Sequence, residues 1–203
     1  TSYAARWLPY QTGIYFKEHA RYAEAEAFFQ QSLRIIEQVF GPDHPDVANS
    51  LDWLAILYNE QGKYTEAEPL YRRALLIYEQ ELGPDDQLVA YPLNGLANLY
   101  YEQGKYVEAE PLYQRALHIR EQALGPDDPE VAYLLNGLAI LYREQGKDAE
   151  AESLYLRALH IWEQALGSDH SNTQTVVRNY AILLREMGRE AEASELEARF
   201  PSS

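Results

Sequence analysis

No cysteine occurs among the 203 residues, which excludes disulfides and thiolate chemistry and fits a reducing, cytoplasmic compartment. No apolar run is long enough to span a bilayer, and no secretory signal pattern opens the chain. Bases are scarce, with 17 Lys and Arg against 32 Asp and Glu, a formal net charge of −15 at pH 7. Nucleic-acid binders concentrate positive charge, so this balance argues against DNA and RNA. It favours a partner of basic character. The phosphate-cradling Gly-x-x-x-x-Gly-Lys-Ser/Thr loop and the Gly-x-Ser-x-Gly elbow are both missing. The histidines are scattered: His118 and His160 share a phase on neighbouring helices, while His44 and His170 sit in turns beside aspartates. Two histidines without a third ligand do not make a metal site. The pairs Glu66/Glu68 and Glu150/Glu152 leave a helix in different directions, whereas paired catalytic carboxylates share one cleft. No catalytic residue, metal or cofactor is expected.

What the sequence does contain is repetition. Gly41-Pro42-Asp43-His44, Gly83-Pro84-Asp85-Asp86, Gly125-Pro126-Asp127-Asp128 and Gly167-Ser168-Asp169-His170 begin 42 residues apart (83−41, 125−83, 167−125). Between them Gln61-Gly62-Lys63-Tyr64 recurs as Gln103-Gly104-Lys105-Tyr106 and Gln145-Gly146-Lys147-Asp148. A fixed period of this size signals a repeat architecture. The chain divides into units at 1–40, 41–82, 83–124, 125–166 and 167–203, which together form a single array.

Within one unit, Val131, Leu134, Leu135, Leu138, Leu141 and Tyr142 recur at spacings of three and four, the apolar face of a helix. Pro129 suits its first position, with Asp127 or Asp128 as cap. Gly146 stops it, and a second periodic run follows from Ala151 through Trp162 and Leu166 to a stop at Gly167. The expected first helices run over 3–19, 45–61, 87–103, 129–145 and 171–187, and the second helices over 22–40, 64–82, 106–124, 148–166 and 190–200. Alanine holds fixed phases: Ala55, Ala97, Ala139 and Ala181 in first helices, Ala25, Ala67, Ala109, Ala151 and Ala193 in second helices, with Ala74, Ala116 and Ala158 beyond. Small residues at a fixed contact point let backbones approach closely. A lone pair cannot hide its apolar faces, so pairs stack. The fold class is all-α, an α-solenoid of about five stacked helix pairs.

Some local features conflict with the pattern. Pro92 falls inside the third first-helix, which must begin late or kink; Pro69 and Pro111 sit near the first turn of theirs. Glu197 replaces a tyrosine in the last unit, so the C-terminus reads as a solvated cap, while Thr1 is not a methionine and the chain reads as a segment of something longer. The ladder Glu18, Glu60, Glu102, Glu144 and Glu186 is matched three residues on by Arg21, Lys63, Lys105, Lys147 and Arg189. Local ion pairing is the expectation there, ahead of an acidic rail for a basic peptide.

The succession Leu96-Ala97, Tyr100, Gly104, Tyr106, Ala109, Tyr113 and Ala116 resembles the tetratricopeptide repeat, and the 42-residue unit is most similar to the repeats of kinesin light chains. Related arrays end bacterial signalling ATPases. The resemblance implies a right-handed superhelix whose first helices line a concave groove for a protein or peptide. It places Asn94 and Asn136, in Leu-Asn-x-Leu-Ala, against ligand backbone. By the same phase it assigns the groove Asn49, Asp52 and Trp53; Tyr91, Gly95, Asn98 and Tyr101; Tyr133, Gly137 and Arg143; Arg178 and Asn179. Asp52 and Arg178 depart from the family asparagine and imply a charge gradient, acidic near Asp52 and basic near Arg178 and Arg185. The expected function is a protein-interaction module, monomeric rather than oligomeric. The alternatives are a sensor arm of a larger signalling ATPase, which a phosphate-binding loop upstream of Thr1 would support, and a self-associating scaffold.

Overall fold

The computed structural model describes residues 12–15, 17, 19 and 21–200, and among these no strand occurs. Most of the helix expected over 3–19 lies outside the described residues; positions 12–15 are helical. The helices are α1 (Tyr22–Phe40), α2 (Pro45–Glu60), α3 (Tyr64–Glu81), α4 (Ala90–Glu102), α5 (Tyr106–Leu124), α6 (Pro129–Glu144), α7 (Asp148–Leu166), α8 (Ser171–Glu186) and α9 (Glu190–Arg199). A 3-10 turn, Gln87–Val89, precedes α4. Contacts divide the chain into two compact units, Thr1–Leu99 and Tyr100–Ser203.

The punctuation is local chemistry. His44, Asp86, Asp128 and His170 are N-caps whose side chains accept from the backbone N–H two residues on, at 3.1 Å (Asp46), 2.8 Å (Leu88), 2.8 Å (Glu130) and 3.2 Å (Asn172). Each satisfies one of the donors a helix start leaves open. The turn histidines are therefore caps. Eight glycines from Gly41 to Gly188 have positive φ and recur at half the repeat, as in Gly41, Gly62 and Gly83. At Gly146 (φ +71°), the reversal lets Lys147 N–H reach Tyr142 O at 2.9 Å, which closes α6.

The prolines find different solutions. The 3-10 turn delays α4 until Ala90, so Pro92 lies in its first turn, where no intrahelical donor is required. Pro69 and Pro111 sit farther in, inside α3 and α5, but both are exposed. Each therefore leaves the carbonyl four residues earlier, Thr65 or Val107, without its helical donor on the water side.

The alanine phases are contact points: Ala55, Ala97, Ala139, Ala181, Ala25, Ala67, Ala109, Ala151 and Ala193 are all 0% exposed. In the first unit Ala25, Phe29, Leu54 and Leu57 form a core with Trp53, Tyr58 and Leu70 against it. In the second, Val131, Leu135, Tyr155, Trp162, Val177, Leu184 and Phe200 belong to one continuous cluster. Ile36, Tyr78 and Trp162 are buried in one phase, and Trp162 Nε1–H donates to Pro129 O at 3.0 Å.

Polar staples join successive repeats, and they overturn the local ion pairs expected of Lys63, Lys147 and Arg189; Glu18, the expected partner of Arg21, lies outside the described residues. Lys147 turns away from Glu144 to Glu110 of the preceding repeat at 2.7 Å. Arg189 likewise reaches Glu152 at 2.7 Å, and Lys63 approaches Glu26 at 3.8 Å. Arg21 pairs with Glu24. The same glutamates accept tyrosine hydroxyls: Tyr58 to Glu26 at 2.9 Å, Tyr142 to Glu110 at 3.3 Å and Tyr180 to Glu152 at 2.6 Å. Half-buried carboxylates with several donors outcompete exposed partners one turn away. Lys147, Gln145 and Tyr142 together hold the Glu110 carboxyl below its ordinary range despite burial, and Arg189 and Tyr180 do so for Glu152. Glu26, Glu110 and Glu152, each the second glutamate of a Glu-x-Glu pair, are thus inter-repeat acceptors. A parallel row links second helices: Arg73 to Glu37 (2.8 Å), Arg157 to Glu121 (2.6 Å) and Arg199 to Glu163 (2.8 Å).

Candidate binding faces

The residues expected to meet a partner lie on the first helix of each pair, on sides that core packing leaves partly open. In the first unit, Asn49 and Trp53 on α2 and Asn94 and Asn98 on α4 are half-buried. Tyr91 is 48% exposed. Trp53 stacks over Phe29, ring centroids 6.3 Å apart. Asp52 departs from expectation. It is 6% exposed, its Oδ1 has no hydrogen-bond partner, and burial alone pushes its carboxyl well above the usual carboxylate range. Water is withdrawn and no cation among the described residues replaces it, so the neutral form is favoured. The acidic end of the expected gradient is absent.

In the second unit the structure brings two of the named residues together. Asn179 Nδ2 on α8 donates to Asn136 Oδ1 on α6 at 3.1 Å. Tyr133, one turn before Asn136, is 56% exposed. Tyr101 on α4 meets Tyr106 at a centroid distance of 5.7 Å, and burial raises its hydroxyl pKa. The cations differ in availability. Arg143 contacts Glu144 at 2.6 Å and Glu186 at 3.7 Å. Arg185 is held by Glu190 and Glu197 at 3.1 and 2.7 Å. The exposed Arg178 donates to Thr175 Oγ1 at 3.1 Å and has no carboxylate partner among the described residues. Only Arg178 remains of the basic end.

Gly95 and Gly137 are spacers rather than contact residues. A Cβ on Gly95 would stand 2.6 Å from Tyr71 Cζ, and one on Gly137 3.0 Å from Tyr113 Cε1. The rings Phe29, Tyr71, Tyr113 and Tyr155 hold one phase of the second helices; Gly13 makes the same room for Phe29, its Cβ position 2.7 Å from Phe29 Cε1. The signal was legible, since Gly95 and Gly137 fall 42 residues apart in mid-helix.

Sequence reasoning also missed Arg120. It occupies the phase of Ile36, Tyr78 and Trp162, is 4% exposed, and pairs with Glu130 at 3.0 Å. A hollow of about 590 Å³ lies on the second-helix side, lined by Tyr106, Val107, Glu110, Pro111, Gln114, Gln145 and Lys147. Among the described residues no group of three His, Cys, Asp or Glu could hold a metal ion, and no helix is long and apolar enough to cross a membrane.

Helix pairs of fixed period, stacked through alanine contacts and stapled through repeat-related glutamates, define a helical-hairpin repeat protein. The sequence matches the tetratricopeptide repeat over residues 14–80, 49–122, 88–159 and 130–199. The chain belongs to the tetratricopeptide-repeat family. No curated protein matches it at a significant level. Among solved structures it is similar to BtubC (BKLC) from P. vanneervenii, with a TM-score of 0.80 and 23% identity over 92% of this chain and 74% of the other. It is also similar to a kinesin-light-chain-like protein of nearly identical TPR-like repeats from Podosopora anserina, with a TM-score of 0.80 and 22% identity over 98% and 95% of the two chains. A Rap protein complexed with competence and sporulation factor aligns with a TM-score of 0.80 and 18% identity, over 98% of this chain but 54% of that one. The first two likenesses are to kinesin-light-chain-like arrays, and all three concern the fold.

Proposed function

We propose that the five repeats form a protein-interaction module that takes a polypeptide segment on the first-helix faces. The observation that carries this reading is the distribution of side chains. Leucines and alanines of α4 and α6 are buried, while Tyr91 and Tyr133 stand 48% and 56% exposed beside half-buried Asn94 and Asn136. Core packing does not require aromatic and amide groups there. Tyrosine supplies contact area at low entropic cost, and an Asn amide offers a donor and an acceptor to a peptide backbone. The neighbour complexed with competence and sporulation factor supports the reading by example. Asn136 and Asn179 occupy each other in the free protein, a bond that a guest would exchange for its own.

The test is affinity capture from an extract of the source organism with wild type and the Asn94→Ala/Asn136→Ala variant, with melting temperature measured in parallel. Each amide bond to a partner contributes about 0.5–1.5 kcal/mol, so the double variant loses roughly tenfold or more in affinity while its melting temperature stays near wild type. Retention of the same partners at undiminished affinity overturns the assignment of these faces.

A further inference from the structure

Two acceptors on one side of α2 have nothing to receive. Asp52, 6% exposed, and Asn59, half-buried, each carry a buried Oδ1 without a hydrogen-bond partner. Buried polar atoms are almost always paired, so each exception requires an explanation. The two residues are seven apart on α2, two helical turns and about 10 Å along the axis, and so share a side. Asp52 also stands at a repeat position that borders solvent elsewhere: its counterparts Asn94 and Asn136 are half-buried and Arg178 is exposed. Nearby, Glu60 already holds Lys17 at 2.7 Å.

We propose that this side of α2 receives a lysine or arginine side chain from the guest segment, with Asp52 as its acceptor and Asn59 accepting a backbone N–H farther along the same segment. The inference rests on the interaction reading above and names the chemistry of its partner. An ammonium carries three donors and a guanidinium five, and neither accepts. A cation therefore meets a row of acceptors without opposing lone pairs, whereas an apolar guest would leave Asp52 unpaired. Three residues of extended chain cover about 10 Å, the separation of the two acceptors. On entry of the cation the Asp52 carboxyl proton passes to solvent, and the carboxylate remains against the guest's positive charge.

Three acetylated, amidated pentaalanine peptides with lysine, arginine or norleucine at the centre serve as probes, followed by NMR at the Asp52 side-chain carboxyl and the α2 amides. Wild type is expected to show saturable shifts at Asp52 and Asn59 with the lysine or arginine peptide, at least about tenfold tighter than with norleucine. The two cationic arms distinguish ammonium from guanidinium. Asp52→Asn, which keeps the neutral shape of the free protein, should erase that preference while its spectrum stays folded. Asn94→Ala/Asn136→Ala should keep it, so failure of the general interaction reading and failure of this site give separate results. Equal shifts for lysine, arginine and norleucine in wild type, or a cation preference that survives Asp52→Asn, would overturn the proposal.

Discussion

Replacing glycine by alanine inside a helix normally stabilises it by about 0.5–1 kcal/mol, because glycine gives up the most backbone freedom on folding. Gly95 and Gly137 occupy the same phase of α4 and α6, yet they should respond differently. At Gly95 the new methyl would lie 2.6 Å from Tyr71 Cζ, and Tyr71 is 2% exposed, so its ring has little room to retreat. Overpacking of that kind costs about 1–3 kcal/mol and outweighs the helix gain. At Gly137 the nearest approach is 3.0 Å to Tyr113 Cε1, with Cζ at 3.5 Å, and a shift of a few tenths of an ångström relieves it. Gly95→Ala should therefore lose on the order of 1–2 kcal/mol and Gly137→Ala should be near neutral or slightly stabilising. At roughly 2–4 °C per kcal/mol for a chain of this size, thermal denaturation separates the two, and hydrogen exchange should localise the Gly95→Ala effect to α3 and α4. Stabilisation of both variants by the ordinary helix increment would mean that Tyr71 does not sit against α4, and the account of repeat spacing would fail.

Three further perturbations test other parts of the structure. Asp52→Asn should raise the melting temperature at pH 7 by removing a buried carboxyl's cost of ionising, on the order of 1–2 kcal/mol; because the folded-state pKa is raised, the advantage grows as pH rises above the unfolded value near 4 and vanishes below it, and an advantage constant across pH refutes the assignment. Glu110→Gln should flatten the acid limb of stability: the native carboxyl is held low by Lys147 first and Gln145 after it, so its contribution is present above about pH 4.3 and is lost as pH falls through the depressed native value. Glu130→Gln removes the carboxylate that lies 3.0 Å from buried Arg120 and should destabilise by about 1–3 kcal/mol, discounted because Glu130 is half exposed, whereas Arg120→Met should cost less than that; chemical denaturation of both variants checks the order.

The fold was legible because every repeat states the same instructions. Alanine phases, glycine stops and apolar periodicity recur from copy to copy, and helix ends fell within about one residue of expectation, except that α4 starts at Ala90, three residues after the expected 87, behind its 3-10 turn. Positions where copies disagree were harder. Asp52, Asn94, Asn136 and Arg178 share one phase but not one environment: the first is buried and unpaired, the third is bonded to Asn179, and the last is exposed. A phase fixes the direction in which a side chain leaves its helix, but the neighbouring helices decide how much water it meets.

The ion pairs follow the same logic. Spacing three residues apart made Glu144 and Lys147 partners on paper, yet Lys147 goes to Glu110. Sequence distance ranks neighbours along one helix, whereas stacking places a better-buried acceptor, already fixed by Tyr142 and Gln145, within reach of the same ammonium. Diverting the bases to second-helix glutamates changes what the first-helix faces present. Glu102 is exposed without a partner among the described residues, and Glu144 and Glu186 share one arginine. The acidic ladder is therefore less neutralised than local pairing would have made it; in the first unit Lys17 is the base that reaches it, already held by Glu60 at 2.7 Å.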